Sequence, residues 1–190
     1  MMKTYPFMNS PNAQTGKQRL EAKEWSEVRA ELMQLKTKLN LSDDEFRMLS
    51  PYEDYQGIEE KIYQTFCTID NGKKRPVWLW HCFKQEKYFT DFLPDAPECY
   101  LHKLIDPNES IWMGVFGMAK QQDKIWFYEG KILTIQKLLA ELYFFDEFYF
   151  VSKKYQWLIC INHHDTLIVT GGDMPQKLKA LEQEMMNHST

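Results

Sequence analysis

The stretch "EFYFVSKKYQWLICINHHDTLIVTGG" (residues 147–172) decides the fold. Its apolar runs, 147–152, 155–161 and 166–170, are rich in β-branched and aromatic residues and too short for ordinary helices, so they read as consecutive strands. Strands joined by links this short pair antiparallel, which makes the segment a meander. The tetrad Asn162-His163-His164-Asp165 is the polar connection between the last two strands, and Asn and Asp are ordinary turn residues. Gly171-Gly172 closes the meander ahead of a final helix, with Asp173 as its cap, Pro175 in the first turn and Gln176 completing a capping box.

Working outward, "SIWMGVFG" (110–117) and "KIWFYEG" (124–130) read as paired strands around a polar loop. "TIQKLLAEL" (134–142) reads as a helix capped by Thr134. "VWLWHCF" (77–83) is apolar or aromatic on both faces, which predicts a strand inside the sheet. "PDAPECYLHKLIDP" (94–107) predicts a helix capped by Asp95 with Glu98 three residues on, burying Tyr100 with Leu104 and Leu101 with Ile105. Nearer the N-terminus, Trp25, Val28, Leu32, Leu35 and Leu39 line one face of an amphipathic helix over 17–40. "LSDDEF" (41–46) predicts a new helix boxed by Ser42 and Glu45, and Ile58, Ile62 and Phe66 mark another over 57–68. Residues 1–16 lack periodicity and read as a loose arm. The expectation is therefore a single α+β domain over 17–190, with a mainly antiparallel sheet packed with helices.

A chain of 190 residues can bury a real core without metals or disulfides. Its net charge is −4, with two Lys/Arg against eight Asp/Glu over residues 41–70. No basic footprint suits a phosphate backbone, so a nucleic-acid partner is not expected. No run approaches the ~18 apolar residues of a membrane-spanning helix, and none is expected. The opening "MMKTYPFMNSPNAQTG" lacks the apolar core of a signal peptide. Cysteines at 67, 82, 99 and 160, with no Cys-x-x-Cys pair, read as reduced thiols in the cytoplasm.

The candidate chemistry centres on the tetrad. His163, His164 and Asp165 at a rigid hairpin tip could ligate a divalent metal, or supply a general base with its orienting acid. The same residues, with Asn162 and the nearby Trp157, could instead contact a partner, or form only a turn. A catalytic site would need further carboxylates or histidines, and Asp146 and Glu147, beyond the adjacent strand, are the nearest in sequence. A second constellation, His81-Cys82 with Cys99-x-x-His102, offers zinc-ligand types, although neighbours on a strand point to opposite faces. Gly171-Gly172 before a helix lacks the spacing of a phosphate loop. The aromatic run 142–150, with Tyr155 and Trp157, reads as core before pocket. No established catalytic motif is present.

The positions Tyr149, Val151, Ser152, Lys153, Lys154, Tyr155, Trp157, Leu158, Asn162, His163, His164, Asp165, Leu167 and Gly171 carry a resemblance. The segment is similar to the C-terminal part of a family of uncharacterised, mostly bacterial proteins with a "VSKKYxWLxxxNHHD" signature, and "WFYEGKILTIQKLL" (126–139) is similar to the same family. In size and helix-then-strand order the chain also resembles SUKH-type immunity proteins, which neutralise toxins by binding. The leading expectation is a non-catalytic intracellular binding or immunity-like protein with a protein partner, its acidic segment Asp43–Glu60 facing a basic surface. The alternative is a small metal-dependent hydrolase centred on the hairpin. No cofactor is predicted for the first reading, and a divalent metal is what the second would need.

Overall fold

The computed structural model describes residues 25–50, 52–69, 78–91, 93–116, 125–142 and 147–188. Among them, β1 (Phe46–Met48), β2 (Lys87–Thr90), β3 (Ser110–Phe116), β4 (Trp126–Lys131), β5 (Glu147–Ser152), β6 (Leu158–Ile161) and β7 (Leu167–Thr170) form one sheet. Its order is β1-β4-β3-β5-β6-β7-β2, and each neighbouring pair is antiparallel. The helices are α1 (Trp25–Lys38), α2 (Tyr55–Phe66), α3 (Leu101–Leu104), α4 (Ile132–Leu139) and α5 (Met174–His188). This is the α+β domain with an antiparallel sheet that the strand pattern implies. The arm over 1–16 and the first turns of the expected N-terminal helix lie outside the described residues.

Strand alternation divides the interior into two cores. Successive side chains point to opposite faces, so Ile111, Met113, Phe150, Ile159 and Val169 enter one core with Leu32 of α1, Leu101 of α3, Ile135 of α4 and Leu178 of α5. Phe127, Tyr149, Val151, Leu158, Cys160 and Ile168 enter the other, where Ile62 and Phe66 of α2 cover them. A side chain such as Phe66, with no exposed surface, contributes about 2–3 kcal/mol through burial. Because both faces are covered, β6 and β7 are buried along their whole length, which is why they read as unbroken apolar runs.

One position in the sheet centre has no room for a side chain. Gly114 lies opposite Phe127 on β4 and Tyr149 on β5. A Cβ there would meet Ile125 at 2.9 Å and the Phe127 ring at 3.2 Å. Its absence lets the large rings of the second core close over the strand.

Several local expectations are corrected. Residues 79–82 form a 3₁₀ turn, not a sheet strand, and only Phe83 makes an isolated bridge, to Cys67. Residue 77 lies outside the described residues. An apolar run without alternation does not by itself tell a strand from a turn, and this one packs Leu79 and parts of Trp80 and Cys82 on the second core. Only half of the Ser42–Glu45 box forms: the Glu45 carboxylate accepts from the Ser42 N–H at 3.0 Å and hydroxyl at 2.9 Å, while the Glu45 N–H goes to the Ser42 carbonyl at 3.2 Å. It closes one turn only, because Phe46 then pairs with Gly130 to begin β1. Asp95 does not cap a helix: its carboxylate accepts the Tyr100 hydroxyl at 3.0 Å, and the chain makes a 3₁₀ turn over Pro97–Tyr100 before α3. The expected apolar set Tyr100, Leu101, Leu104 and Ile105 is buried. α4 starts at Ile132, so Thr134 is an interior residue with no capping role. At α5 the Lys177 N–H reaches the Asp173 carbonyl at 3.0 Å, whereas the Gln176 amide points to Glu86 at 3.5 Å and closes no box. Strands β1 and β2 had no counterpart in the sequence reading. Gly171 (φ 83°) and Gly172 (φ 56°) occupy the left-handed region at the turn into α5, which suits residues without a Cβ.

Replacing Gly114 with valine is expected to destabilise the domain by about 1–3 kcal/mol through overpacking. The urea midpoint of the variant against the wild type measures this.

Candidate functional site

The tetrad divides into two builders and two exposed rings. Asn162 is buried at 4% exposure. Its Oδ1 accepts the N–H of His164 and of Thr166, each at 3.0 Å, and its carbonyl accepts the Asp165 N–H at 2.9 Å. Asp165 adopts φ 57°, a conformation that Asp tolerates better than most residues. Asn162 and Asp165 thus make the turn, and the turn projects His163 and His164.

The pairing of β5 with β6 decides what His163 meets. Phe148 lies opposite Ile161, so the residue before Phe148 faces the residue after Ile161 at the end of the ladder. That residue is Glu147, and its side chain has no exposed surface. His163 Nδ1 stands 3.6 Å from Glu147 Oε1. Trp78 packs against the His163 ring at 4.8 Å between centroids, and His164 at 4.0 Å.

Two neutral donors reach Glu147. The Trp80 indole N–H donates to Oε1 at 2.7 Å, and the Tyr149 hydroxyl donates to Oε2. The Leu79 N–H in turn donates to the Tyr149 oxygen at 3.2 Å. One carboxylate therefore fixes the 3₁₀ turn to the sheet through a backbone amide, a phenol and an indole. Burial, then the neighbouring Cys160 and Glu147, pushes the Tyr149 phenol well above its ordinary value, so it stays a donor. Burial also holds the Cys160 thiol well above its ordinary value and pushes Cys67 to about 12. Neither is a thiolate at neutral pH. His163 is held below its ordinary value by burial and by the nearby His164 and His81 rings, so it is neutral at pH 7.

Other expected residues fall elsewhere. Trp157 lies in the first core with 6% exposure, on the opposite side of the sheet from this cluster. Asp146 lies outside the described residues. His81 stands against Trp80 at 3.9 Å, in the tetrad's neighbourhood. The His102 ring instead meets the Gln136 amide at 3.2 Å, and Cys99 is exposed. Among the described residues, no three of His, Cys, Asp and Glu gather as ligands of one ion. Much of the acidic segment is engaged within the chain: Asp43 with Lys36, Glu53 with Arg47 at 2.9 Å, Asp54 with the Gly57 N–H at 2.8 Å, and Glu59 with the Tyr63 hydroxyl at 3.0 Å. Trp78, Trp80 and Tyr149 are the members that sequence reasoning missed. The one signal was a carboxylate heading the apolar strand "EFYFVS".

A family model described as a family of unknown function matches residues 24–182, nearly the whole chain. The chain belongs to the DUF6756 family. No curated protein and no solved structure matches it. Membership covers both faces of the hairpin cluster and assigns no chemistry to it. No helix among the described residues is long and apolar enough to cross a membrane.

Tyr149→Phe leaves the Leu79 N–H and one Glu147 oxygen without their partner and is expected to cost about 1–3 kcal/mol, read from chemical denaturation. The His163 shift also has a sign. The folded state binds this proton more weakly than the unfolded chain, so its contribution is intact above the ordinary value of 6.5 and is lost as pH falls below it. Urea midpoints between pH 7.5 and 5 should therefore fall more steeply for the wild type than for His163→Gln.

Proposed function

We propose that this chain is a non-catalytic binding protein of the bacterial cytoplasm, immunity-like in its mode of action, which engages a protein partner through Trp78, Trp80, His81, His163 and His164. The observation that carries the reading is the Glu147 network, which holds these rings side by side before any partner arrives. Rings fixed in advance lose little freedom on association, and Trp is the side chain most enriched at the energetic centres of interfaces. The cysteines Cys67, Cys82, Cys99 and Cys160 are free thiols, which suits a reducing compartment. The acidic balance of the chain speaks against a nucleic-acid partner.

A second reading, a small metal-dependent hydrolase centred on the hairpin, draws on one observation. A neutral imidazole lies beside a buried carboxylate, the arrangement of a general base and its orienting acid. It would need ligands beyond His163 and His164 to hold an ion.

Quantitative co-purification from cells that carry the gene separates the readings. Tagged wild type is compared with Trp78→Ala and His164→Ala, both checked for an unchanged melting midpoint. A stoichiometric protein partner that is retained by the wild type and lost by both variants is expected. Partner capture unaffected by either substitution, or stoichiometric divalent metal that is lost on replacing His163 and His164, would overturn the binding assignment.

A further inference from the structure

We infer that two copies of this chain associate edge to edge through β2, pairing antiparallel about Phe89 so that their sheets run on as one. This association does not depend on the binding reading above.

The two end strands of the sheet differ. At one end β1 keeps its side chains engaged within the chain: Arg47 meets Glu53 at 2.9 Å and Glu129 at 2.6 Å, and Phe46 is buried. At the other end β2 leaves Phe89 63% exposed. The cross-strand row that leads out to it runs through Tyr149, Cys160 and Ile168, all buried. Burial stops at the last strand. Natural proteins blunt such edges with charge, proline or a bulge, because an open edge pairs with other strands. An aromatic ring in the middle of the edge does the reverse.

The backbone of the same residue faces outward. Beyond the β6–β7 ladder the Asn162 N–H donates to the Thr166 carbonyl at 3.2 Å. Bonded and non-bonded pairs alternate along an antiparallel ladder. Ile168 and Thr170 therefore turn their backbone groups to β6, and Leu167 and Val169 turn theirs to β2. Thr90 and Tyr88, opposite Leu167 and Val169, take those bonds. The N–H and C=O of Lys87 and Phe89 point away from β7, as a donor and an acceptor for a further strand.

What fits this edge is a copy of itself. Lys87, Phe89 and Asp91 are exposed, whereas Tyr88 is half-buried and Thr90 is buried. A two-fold axis perpendicular to the sheet at Phe89 sets this residue against Phe89 of the second copy. The same axis sets Lys87 against Asp91 of the second copy, twice. Aromatic pairs and opposite charges across strands are favourable. Centring the pairing on Tyr88 or on Thr90 loses both, because Lys87 or Asp91 then meets Phe89. The other side of β2 is already secured. The Tyr88 and Thr90 hydroxyls donate to Glu182 of α5, and Lys179 lies 5.7 Å from the Tyr88 ring centroid. The edge is formed before a second copy arrives.

Sedimentation velocity of the full chain over a wide concentration range tests this, and reversible dimerisation is expected. Lys87→Asp alone, or Asp91→Lys alone, places like charges across the two-fold and should weaken dimerisation roughly tenfold. The double variant Lys87→Asp/Asp91→Lys should restore it. Phe89→Asp should leave only monomer. All three positions are exposed, so an unchanged melting midpoint is the control for folding. Trp78→Ala, which removes a ring of the hairpin cluster, should dimerise as the wild type does. A monomer at every concentration, or a dimer indifferent to Phe89→Asp, would overturn the inference. So would a double reversal as weak as the single ones, or a dimer lost with Trp78→Ala.

Discussion

The arrangement at the hairpin depends on one buried carboxylate. Removing Glu147 from water costs several kcal/mol unless its oxygens find donors, and the indole of Trp80 and the hydroxyl of Tyr149 supply them. That requirement has structural consequences beyond its own stability. Trp80 can reach Oε1 only if residues 79–82 turn tightly over the sheet, and the turn presents the Leu79 N–H to Tyr149. Satisfying one charge therefore sets the backbone of a segment that makes no sheet ladder of its own. It also brings Trp78, at the head of that turn, against His163.

The sheet provides what the carboxylate needs. Tyr149 stands two residues after Glu147 on the same face of β5, so a single strand delivers both the acceptor and one of its donors. Gly114, opposite Tyr149, leaves space for Ile125 and the Phe127 ring against the central strands. The hairpin is fixed independently by Asn162, whose amide oxygen holds two backbone N–H groups of the turn. Two rigid elements from distant parts of the chain then meet at Glu147. A surface assembled in this way keeps its shape without a ligand, which is the condition for recognition by preformed complementarity.

What was legible in the sequence follows from range. The meander over 147–170 and the β3–β4 pair read correctly because alternation, length and β-branching are local properties. The apolar stripes of α2 and α3 read correctly for the same reason. Residues 79–82 misled because a run of apolar and aromatic residues looks the same as a strand or a turn, and only its partners decide between them. Those partners, Glu147 and Tyr149, lie about seventy residues away in sequence. The reach of Glu45 back to the Ser42 N–H was read correctly and the helix start wrongly, since a closed turn can lead into a strand when a partner such as Gly130 waits beside it. At the tetrad, the turn role of Asn162 and Asp165 was visible in residue type. The meeting of His163 with Glu147 was anticipated only as a possibility of neighbouring strands, because register is a tertiary property.

Our proposal favours recognition over covalent catalysis on the chemistry of the cluster. A base oriented by a carboxylate is half of a nucleophilic machine, and the other half is a nucleophile activated by that base. The two buried thiols do not supply it: Cys160 is fully enclosed and held well above its ordinary value by burial, and Cys67 is pushed to about 12. The Tyr149 hydroxyl gives its proton to Glu147 and is likewise held as a phenol. The groups that reach the surface are instead the imidazoles of His81, His163 and His164 and parts of two indole rings. The acidic stretch in the first half of the chain, once the obvious recognition surface, spends much of its charge on Lys36, Arg47 and backbone amides. Charge already paired within the chain offers a partner little, whereas aromatic surface held in place offers contact area. That difference is why our proposal sets recognition at the hairpin and not at the acidic segment.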